Sequence, residues 1–212
     1  MKTRVLSVNA KTPQPDVIRQ ACEVLRTGGL VAFPTDTLYA LGANALDPVA
    51  IERVFSIKGR HHGKPLSVLV GSVEAAAALG DLSDGTQALM QTYWPGPLTI
   101  VVKASPQFPS VLTAATGTVG LRMPAGSVAQ ALLAAFGGPI IGTSANKTGG
   151  PDPADAKTVQ RAVGGQIDLV LDGDRVALGV PSTVIDCTQV PARILREGAV
   201  SKATLAEKML IA

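Results

Sequence analysis

Three cations, Lys58, Arg60 and Lys64, lie within seven residues, and both histidines of the chain lie between them. No acidic residue occurs from Arg53 to Val73, so nothing local neutralises this charge. A glycine on either side of the histidine pair lets the backbone approach a ligand closely. Charged hydrogen-bond donors on such a backbone predict a binding site for a polyphosphate. A solvated turn is the alternative, whereas a metal site would need further ligands that the sequence does not offer nearby.

A second candidate segment, FPTDTLYALG, places hydroxyl side chains directly after an apolar strand. Thr35 and Thr37 stand at a strand end, which is where an open α/β sheet places its ligands. The alternative interpretation is a turn in which Thr35 or Asp36 caps a following helix.

Arg122 lies in TVGLRMP, where it follows a buried-looking strand and precedes Pro124. An arginine at a strand end can clamp a carboxylate or a phosphate through paired hydrogen bonds. An internal ion pair with an aspartate is the alternative at this position.

A hydrogen-bonding loop follows the apolar strand in PIIGTSANKTGG. Its Thr143, Ser144 and Asn146 side chains are suited to phosphate oxygens or to an adenine edge. Ser182 in GVPSTVID and Arg196 in ILREG also lie next to strands, but each is a weak signal alone. WPGPLT, with the only tryptophan, reads as a rigid corner.

Several common catalytic patterns are missing from the sequence. It contains no GxGxxG, no GxxxxGK[ST] and no GxSxG motif, and its acids form no paired-carboxylate pattern. The recurring features are hydroxyls, backbone-rich loops and cations at strand ends. Such groups stabilise anions and orient reactants rather than form covalent intermediates.

Composition favours one packed domain. The chain has 212 residues, 46% of them hydrophobic, a mean hydropathy of +0.29 and a net charge of +3. No apolar run reaches the ~18 residues of a membrane span, and the N-terminus lacks a signal-peptide core, so a cytoplasmic protein without a membrane contact is expected. Cys22 and Cys187 read as small core residues.

Helical and strand patterns alternate along the chain, which predicts the α/β class with a twisted, mixed parallel and antiparallel open sheet and flanking helices. Helices are predicted at 15–27, 47–58, 72–79, 84–93, 126–136, 153–163 and 201–210. Strands are predicted at 30–33, 66–70, 98–103, 119–123, 139–142, 168–171, 183–187 and 193–195. Asp47 and Pro48 have the residue types of an N-cap and a first helical position.

Taken together and in this order, the segments resemble the YrdC family, the threonylcarbamoyl-AMP synthases of the TsaC type. The matching pieces are PTDTLYALG, KGR and KPLSVLV, WPGPLT, LRMP, TSANKTG, PSTVID and REG. They span about residues 15–198, so the resemblance implies a single YrdC-like domain over 1–212 with a terminal helix at 201–210. It also implies a short form that lacks the additional C-terminal domain of longer synthases.

The resemblance implies a reaction in which L-threonine, bicarbonate and ATP give L-threonylcarbamoyl-adenylate and pyrophosphate. Mg²⁺ is expected to enter with ATP, and no metal ligand is expected from protein side chains. A downstream tRNA threonylcarbamoyl transferase would use the product to modify an adenosine of tRNA. A weak contact with RNA is also compatible with the charge distribution.

The family pattern assigns roles to individual residues. Lys58, Arg60 and Lys64 would contact the ATP phosphates, with Lys58 and Arg60 stabilising the anion and no residue acting as a covalent catalyst. Thr118, Ser144, Asn146 and Arg196 would complete the nucleotide site. Threonine would be held by Thr35 or Thr37, by Arg122 on its carboxylate, by the backbone near Gly142 and by Ser182.

Two positions depart from the pattern. His61 stands where many relatives have proline, and Leu69 stands near a position where some relatives have a histidine that faces the ligand. Two other functions are alternatives to the synthase: a carbamoyl-adenylate-forming enzyme, as in hydrogenase-maturation carbamoyltransferases, and a non-catalytic RNA-binding module. The first needs extra modules for which this chain has neither room nor cysteines, and the second has little support from an aromatic content of 3%.

Overall fold

The architecture comes from a computed structural model that describes residues 2–212. Its strands are β1 Arg4–Ser7, β2 Val31–Pro34, β3 Tyr39–Gly42, β4 Ser67–Leu69, β5 Leu98–Lys103, β6 Thr118–Arg122, β7 Ile140–Ile141, β8 Thr143–Ser144, β9 Leu169–Asp172, β10 Thr183–Asp186 and β11 Arg193–Arg196. Its helices are α1 Pro15–Arg26, α2 Pro48–Lys58, α3 Val73–Leu79, α4 Asp84–Tyr93, α5 Ser110–Thr113, α6 Ser127–Phe136, α7 Ala156–Val163 and α8 Lys202–Ala206.

The strands form two mixed sheets. One has the order β1-β9-β2-β3-β8 and the other the order β11-β10-β5-β6-β4-β7. Each sheet contains parallel pairs, such as β1 with β9 and β10 with β5, and antiparallel pairs, such as β2 with β3 and β5 with β6. The predicted α/β class with mixed pairing and flanking helices is confirmed, and the division into two sheets was not predicted.

The two sheets meet where the chain passes from β7 to β8. Ile140 and Ile141 pair with β4 in the six-stranded sheet, and Thr143 and Ser144 pair with β3 in the five-stranded sheet. Gly142 lies between them and donates its N–H to Ser67 O at 2.8 Å. The predicted strand 139–142 is therefore shortened to β7, and after Gly142 the chain continues in the other sheet as β8, which was not predicted. This crossing brings strand ends from both sheets together.

Helix α2 begins as the sequence predicts and carries the basic segment at its end. Asp47 accepts hydrogen bonds from the N–H groups of Val49 and Ala50, and Pro48 occupies the first turn. Gly59 ends the helix in the left-handed conformation at φ 56°, which costs little for a residue without Cβ. The chain therefore reverses between Lys58 and Arg60.

Four elements of the structure, β1, β3, β8 and α5, are absent from the sequence-based prediction, because their sequences lack a periodic apolar signal. The sequence predicts a ligand loop where β3 lies, but this strand pairs with β2 in an antiparallel hairpin, and both strands are buried on both faces. The helix considered after Asp36 does not form, because residues 39–42 pair with β2 instead. β1 is an edge strand with mostly exposed side chains, so it shows no apolar face.

Two predicted helices are shorter in the structure. Asp155 caps α7 by accepting from Thr158 N at 2.8 Å, so this helix begins at Ala156 rather than at 153. The terminal helix ends at Ala206 rather than at 210, because the following chain turns back and Ile211 pairs with Ala192. Within residues 2–212, no helix combines the length and the apolar character that crossing a membrane requires.

Candidate active site

A cavity of about 790 Å³ lies where strands of the two sheets converge. Its lining comes from the β2–β3 hairpin and β8 of one sheet and from β4, β5, β6, β10 and β11 of the other. The loop between α2 and β4 closes one side. Two of the predicted site residues, Lys58 and Asn146, do not line the cavity and are buried behind its wall. The other predicted site residues all line it: Thr35, Thr37, Arg60, Lys64, Thr118, Arg122, Gly142, Ser144, Ser182 and Arg196.

One side of the cavity, here called the basic side, consists of Arg60, Lys64 and Arg196. Among residues 2–212, none of the three forms a salt bridge with a carboxylate. Burial lowers the pKa of the Arg60 guanidinium, and the nearby charge of Arg196 lowers it further. Because neither guanidinium has a salt-bridge partner within residues 2–212, the basic side is suited to an anion.

The loop that carries Arg60 is fixed by its own contacts. Arg60 donates from Nε to Lys64 O at 3.2 Å and from a terminal nitrogen to Pro65 O at 2.9 Å. His62 stacks on Phe55 of α2 with 4.6 Å between ring centroids, and its Nε2 lies 2.8 Å from a carboxylate oxygen of Glu52. The histidine therefore attaches the loop to α2 from outside the cavity, and it is a structural contact rather than a metal ligand.

Arg196 is held in place by the backbone and side chain of Ser182. Its Nε and one terminal nitrogen donate to Ser182 O at 3.1 and 2.8 Å, and the same terminal nitrogen lies 3.2 Å from Ser182 Oγ. The Ser182 hydroxyl also contacts Thr99 Oγ1 at 2.9 Å. These contacts fix Arg196 in the wall, and burial lowers its pKa while the charge of Asp152 partly raises it.

Gly198 permits a close backbone approach behind Arg196. A Cβ on Gly198 would lie 2.3 Å from Pro181 O and 2.7 Å from Ser182 O, both of them backbone atoms. We expect Gly198→Ala to destabilise the fold by about 1–3 kcal/mol and to lower the melting temperature, because overpacking forces the backbone apart. A thermal unfolding curve measures this.

Gly85→Ala is the matched control for Gly198→Ala. Gly85 lies in α4, and its nearest contact to an added Cβ is Met209 Cε at 3.7 Å. Alanine should therefore leave the melting temperature unchanged or raise it, since alanine favours helix. Equal melting temperatures for the two variants would contradict the close approach at Gly198.

Arg122 forms the internal ion pair that was the alternative interpretation, and it also lines the cavity. It donates to Asp36 Oδ1, to Thr37 Oγ1 at 2.8 Å and to Gly96 O at 3.0 Å. Only 8% of its side chain is exposed. Burial lowers the pKa of Arg122, and the Asp36 carboxylate opposes that shift. A guanidinium has five N–H groups, so two remain for a ligand.

The hydroxyls beside Arg122 have fixed roles in hydrogen bonding. The carbonyl of Leu38 can only accept, so Thr35 Oγ1, 2.7 Å away, donates to it. Thr37 Oγ1 therefore donates to Thr35 across 3.0 Å, while it accepts from Arg122 at 2.8 Å. Thr35 also accepts from Thr37 N at 3.2 Å and is saturated. Thr37 keeps one free lone pair, so it can accept from a ligand but cannot donate to one.

The hydroxyl hydrogens of Thr118 and Ser144 are also used in hydrogen bonds within the protein. Thr116 donates to Thr113 O at 2.7 Å, so Thr118 donates to Thr116 across 2.8 Å. Ser144 donates to Asn146 Oδ1 at 2.7 Å. These hydroxyls offer lone pairs to the cavity and suit N–H or O–H groups of a ligand, whereas the arginines and Lys64 suit its anionic groups.

Leu69 fills the space beside Gly142 on the cavity wall. A Cβ on Gly142 would lie 2.3 Å from Leu69 Cγ, and Leu69 itself is 1% exposed. Gly142 N–H is already bonded to Ser67 O. The wall is therefore apolar at Leu69, one of the two positions where the sequence departs from the pattern of the family that it resembles.

Sequence reasoning missed several polar residues of the cavity. Thr99 lines the cavity, although it belongs to WPGPLT, for which the sequence predicts only a rigid corner. In that corner Trp94 is buried and donates a hydrogen bond to Leu98 O at 2.7 Å. Asp152 and Asp186 also line the cavity. Asp186 directly follows PSTVI, so its position at a strand end was a usable signal, whereas Asp152 lies in a loop that has none.

Comparison with known proteins places these features in a family context. A family model named Sua5_yciO_yrdC, described as "Telomere recombination", matches residues 23–198. The threonylcarbamoyl-AMP synthase of Pyrococcus abyssi is 42% identical over 182 residues, which cover 85% of this chain and 54% of that protein. This chain thus spans about half the length of that relative.

Two solved structures are similar over almost the whole chain. P. abyssi Sua5 complexed with L-threonine has a TM-score of 0.94 at 37% identity and covers 99% of this chain, which covers 63% of it. Escherichia coli YciO has a TM-score of 0.90 at 29% identity, with 96% of this chain and 99% of that one covered.

Proposed function

The chain belongs to the Sua5/YciO/YrdC family, and on that basis we propose that it is an L-threonylcarbamoyl-adenylate synthase. The substrates would be L-threonine, bicarbonate and ATP, and the products the adenylate and pyrophosphate. The observation that supports this most is a single cavity in which the basic side lies close to the Arg122 cluster, defined as Arg122, Asp36, Thr37 and Thr35. One side suits a polyphosphate and the other an amino acid.

We propose that the basic side holds the ATP phosphates. In this reaction the threonine amine adds to bicarbonate and water leaves, giving a carbamate. A carbamate oxygen then attacks the α-phosphate, a new P–O bond forms, and the bond to pyrophosphate breaks. Arg60, Lys64 and Arg196 would stabilise the charge that builds on pyrophosphate as it leaves.

We propose that the Arg122 cluster and Ser182 hold threonine. The two remaining N–H groups of Arg122 fit a carboxylate, and the free lone pair of Thr37 fits an ammonium or a carbamate N–H. Thr35 is saturated, so its role is to orient Thr37. Leu69 and Gly142 would form the apolar part of the wall.

Mg²⁺ is proposed to arrive with ATP. No group of three His, Cys, Asp or Glu side chains within residues 2–212 is arranged to hold a metal ion. Asp152 and Asp186 are the carboxylates on the cavity wall. This fits Mg²⁺, which keeps several waters and often takes one or two carboxylates together with substrate phosphates. Bound there, it would neutralise phosphate charge.

The product of this reaction is a reactive mixed anhydride, so it would have to be consumed quickly. A separate transferase that moves the threonylcarbamoyl group to an adenosine of tRNA is the proposed consumer.

Pyrophosphate release from ATP and Mg²⁺ tests the proposal directly. We expect release with threonine plus bicarbonate, and none when either is omitted or when carbamoyl phosphate replaces both. Release with carbamoyl phosphate alone would contradict the proposal in favour of a carbamoyl-adenylate-forming enzyme. No release in any mixture would contradict it in favour of a non-catalytic binding module.

A further inference from the structure

Lys58 has no free hydrogen-bond donor with which to bind a phosphate. Its side chain is buried, with the residue 3% exposed, and its ammonium carries three N–H groups. It donates to Ser144 O and to Asn146 O at 2.8 Å, and Asn146 Oδ1 at 3.3 Å takes the third. Every donor is therefore bonded to the last residue of β8 or to the chain that follows it.

The contacts of Lys58 continue through Asn146 to the cavity wall. Asn146 donates from Nδ2 to Gly150 O at 3.0 Å and to Pro151 O at 2.9 Å. The carbonyl of Lys58 accepts from Thr148 N at 2.9 Å. Lys58 thus holds residues 144–151, here called the 144–151 loop, from both its side chain and its backbone. The next residue, Asp152, lines the cavity.

Lys58 also points away from its neighbour in the basic segment. Gly59 reverses the chain in the left-handed conformation, so Arg60 lines the cavity while Lys58 lies behind the wall. All acceptors of Lys58 within residues 2–212 are neutral oxygens: two backbone carbonyls, the Asn146 amide oxygen and, at 3.5 Å, the Ser144 hydroxyl. No carboxylate among these residues bonds to it. Burial and the charge of Arg60 accordingly lower its pKa to about 8. Burying an ammonium without a paired carboxylate costs free energy, and the hydrogen bonds to the 144–151 loop offset part of that cost.

We propose that Lys58 is a positioning residue that fixes the 144–151 loop, and with it Ser144 and Asp152 on the nucleotide side of the cavity, and that it does not contact the ATP phosphates. This rests on the proposed function only in taking ATP as the ligand. Phosphate contact then belongs to Arg60, Lys64 and Arg196. Lys58 contributes by keeping Ser144 and Asp152 in place before ATP arrives.

Hydrogen–deuterium exchange of the ligand-free protein tests the inference without any assumption about activity. Lys58→Met should raise amide exchange in the 144–151 loop by about tenfold or more, because the loop loses its charged anchor. Lys147→Met is the control, since Lys147 is exposed on the same loop, and it should leave exchange unchanged. Unchanged exchange in Lys58→Met would overturn the inference.

Steady-state kinetics distinguish a positioning role of Lys58 on the nucleotide side from a general loss of structure in the variant. Lys58→Met should raise the KM for ATP about tenfold while the KM for threonine stays within about twofold. Arg60→Ala should also raise the KM for ATP but leave exchange in the 144–151 loop unchanged. An equal rise in both KM values for Lys58→Met would contradict a role confined to the nucleotide wall.

A structure of the wild-type protein with a non-hydrolysable ATP analogue decides the point if Lys58→Met does not fold. We expect Lys58 Nζ to remain on Ser144 O and Asn146 O. A hydrogen bond from Nζ to a phosphate oxygen would overturn the inference. Failure of the wild type to release pyrophosphate would count against the proposed function alone, because the exchange result in ligand-free protein stands independently.

Discussion

Replacing Arg122 by methionine should destabilise the protein by about 3–5 kcal/mol, because it leaves the Asp36 carboxylate buried without its cation. The side chains of Arg122 and Asp36 are only 8% and 12% exposed. Asp36 Oδ2 is buried and already has no hydrogen-bond partner among the described residues. The substitution also removes donors from Thr37 and from Gly96 O. Urea denaturation measures the loss of unfolding free energy.

A double variant isolates the ion pair from the other contacts of Arg122. In Arg122→Met with Asp36→Asn the stranded charge is gone, so the double variant should be more stable than Arg122→Met alone by about 1 kcal/mol or more. Arg193→Met is the control, because Arg193 is exposed on β11 and should change stability by less than about 0.5 kcal/mol. A loss below about 1 kcal/mol for Arg122→Met, or no recovery in the double variant, would contradict this reading of the site.

Removing a cation from the basic side should have the largest effect on activity. Arg60→Ala and Arg196→Ala should each lower kcat/KM for ATP by roughly 10–150-fold, which corresponds to about 1.5–3 kcal/mol for a charged hydrogen bond. Both side chains line the cavity and neither forms a salt bridge with a carboxylate of residues 2–212, so their charge is available to phosphate. Initial rates of pyrophosphate release at varied ATP concentration measure the effect.

The same strand supplies a matched control for Arg196. Arg193 lies on β11 with Arg196 but does not line the cavity, so Arg193→Ala should keep kcat/KM for ATP within about twofold. A loss in Arg193→Ala equal to that in Arg196→Ala would show a general effect of charge rather than a site. Full activity in both Arg60→Ala and Arg196→Ala would contradict the assignment of the basic side to ATP.

The sequence predicted the family and the fold class, because ordered motifs carry long-range information that propensities lack. The motif resemblance is confirmed by the family match over residues 23–198, and mixed strand pairing with flanking helices is confirmed by the structure. The strands β1 and β3 were not predicted from the sequence, and the reasons are opposite. One is an exposed edge strand without an apolar face, and the other is buried on both faces without alternation.

The location of the site residues was predictable, whereas their partners were not. Their positions at predicted strand ends and loops indicated Arg60, Thr37 and Arg122 as site residues, and all three line the cavity. Asp36 and Arg122 are 86 residues apart in sequence, and Lys58 lies 88 residues from Asn146, so neither pairing has a local signal. The roles of these residues toward ligands remain predictions that the variants above test.

The most direct test of the proposed function follows the carbon of bicarbonate into the product. Purified protein with ATP, Mg²⁺, L-threonine and ¹³C-labelled bicarbonate should give L-threonylcarbamoyl-adenylate, and mass spectrometry should find it heavier by the one labelled carbon. Without threonine the species should be missing. Consumption of ATP in the complete mixture with no labelled adenylate would contradict the account.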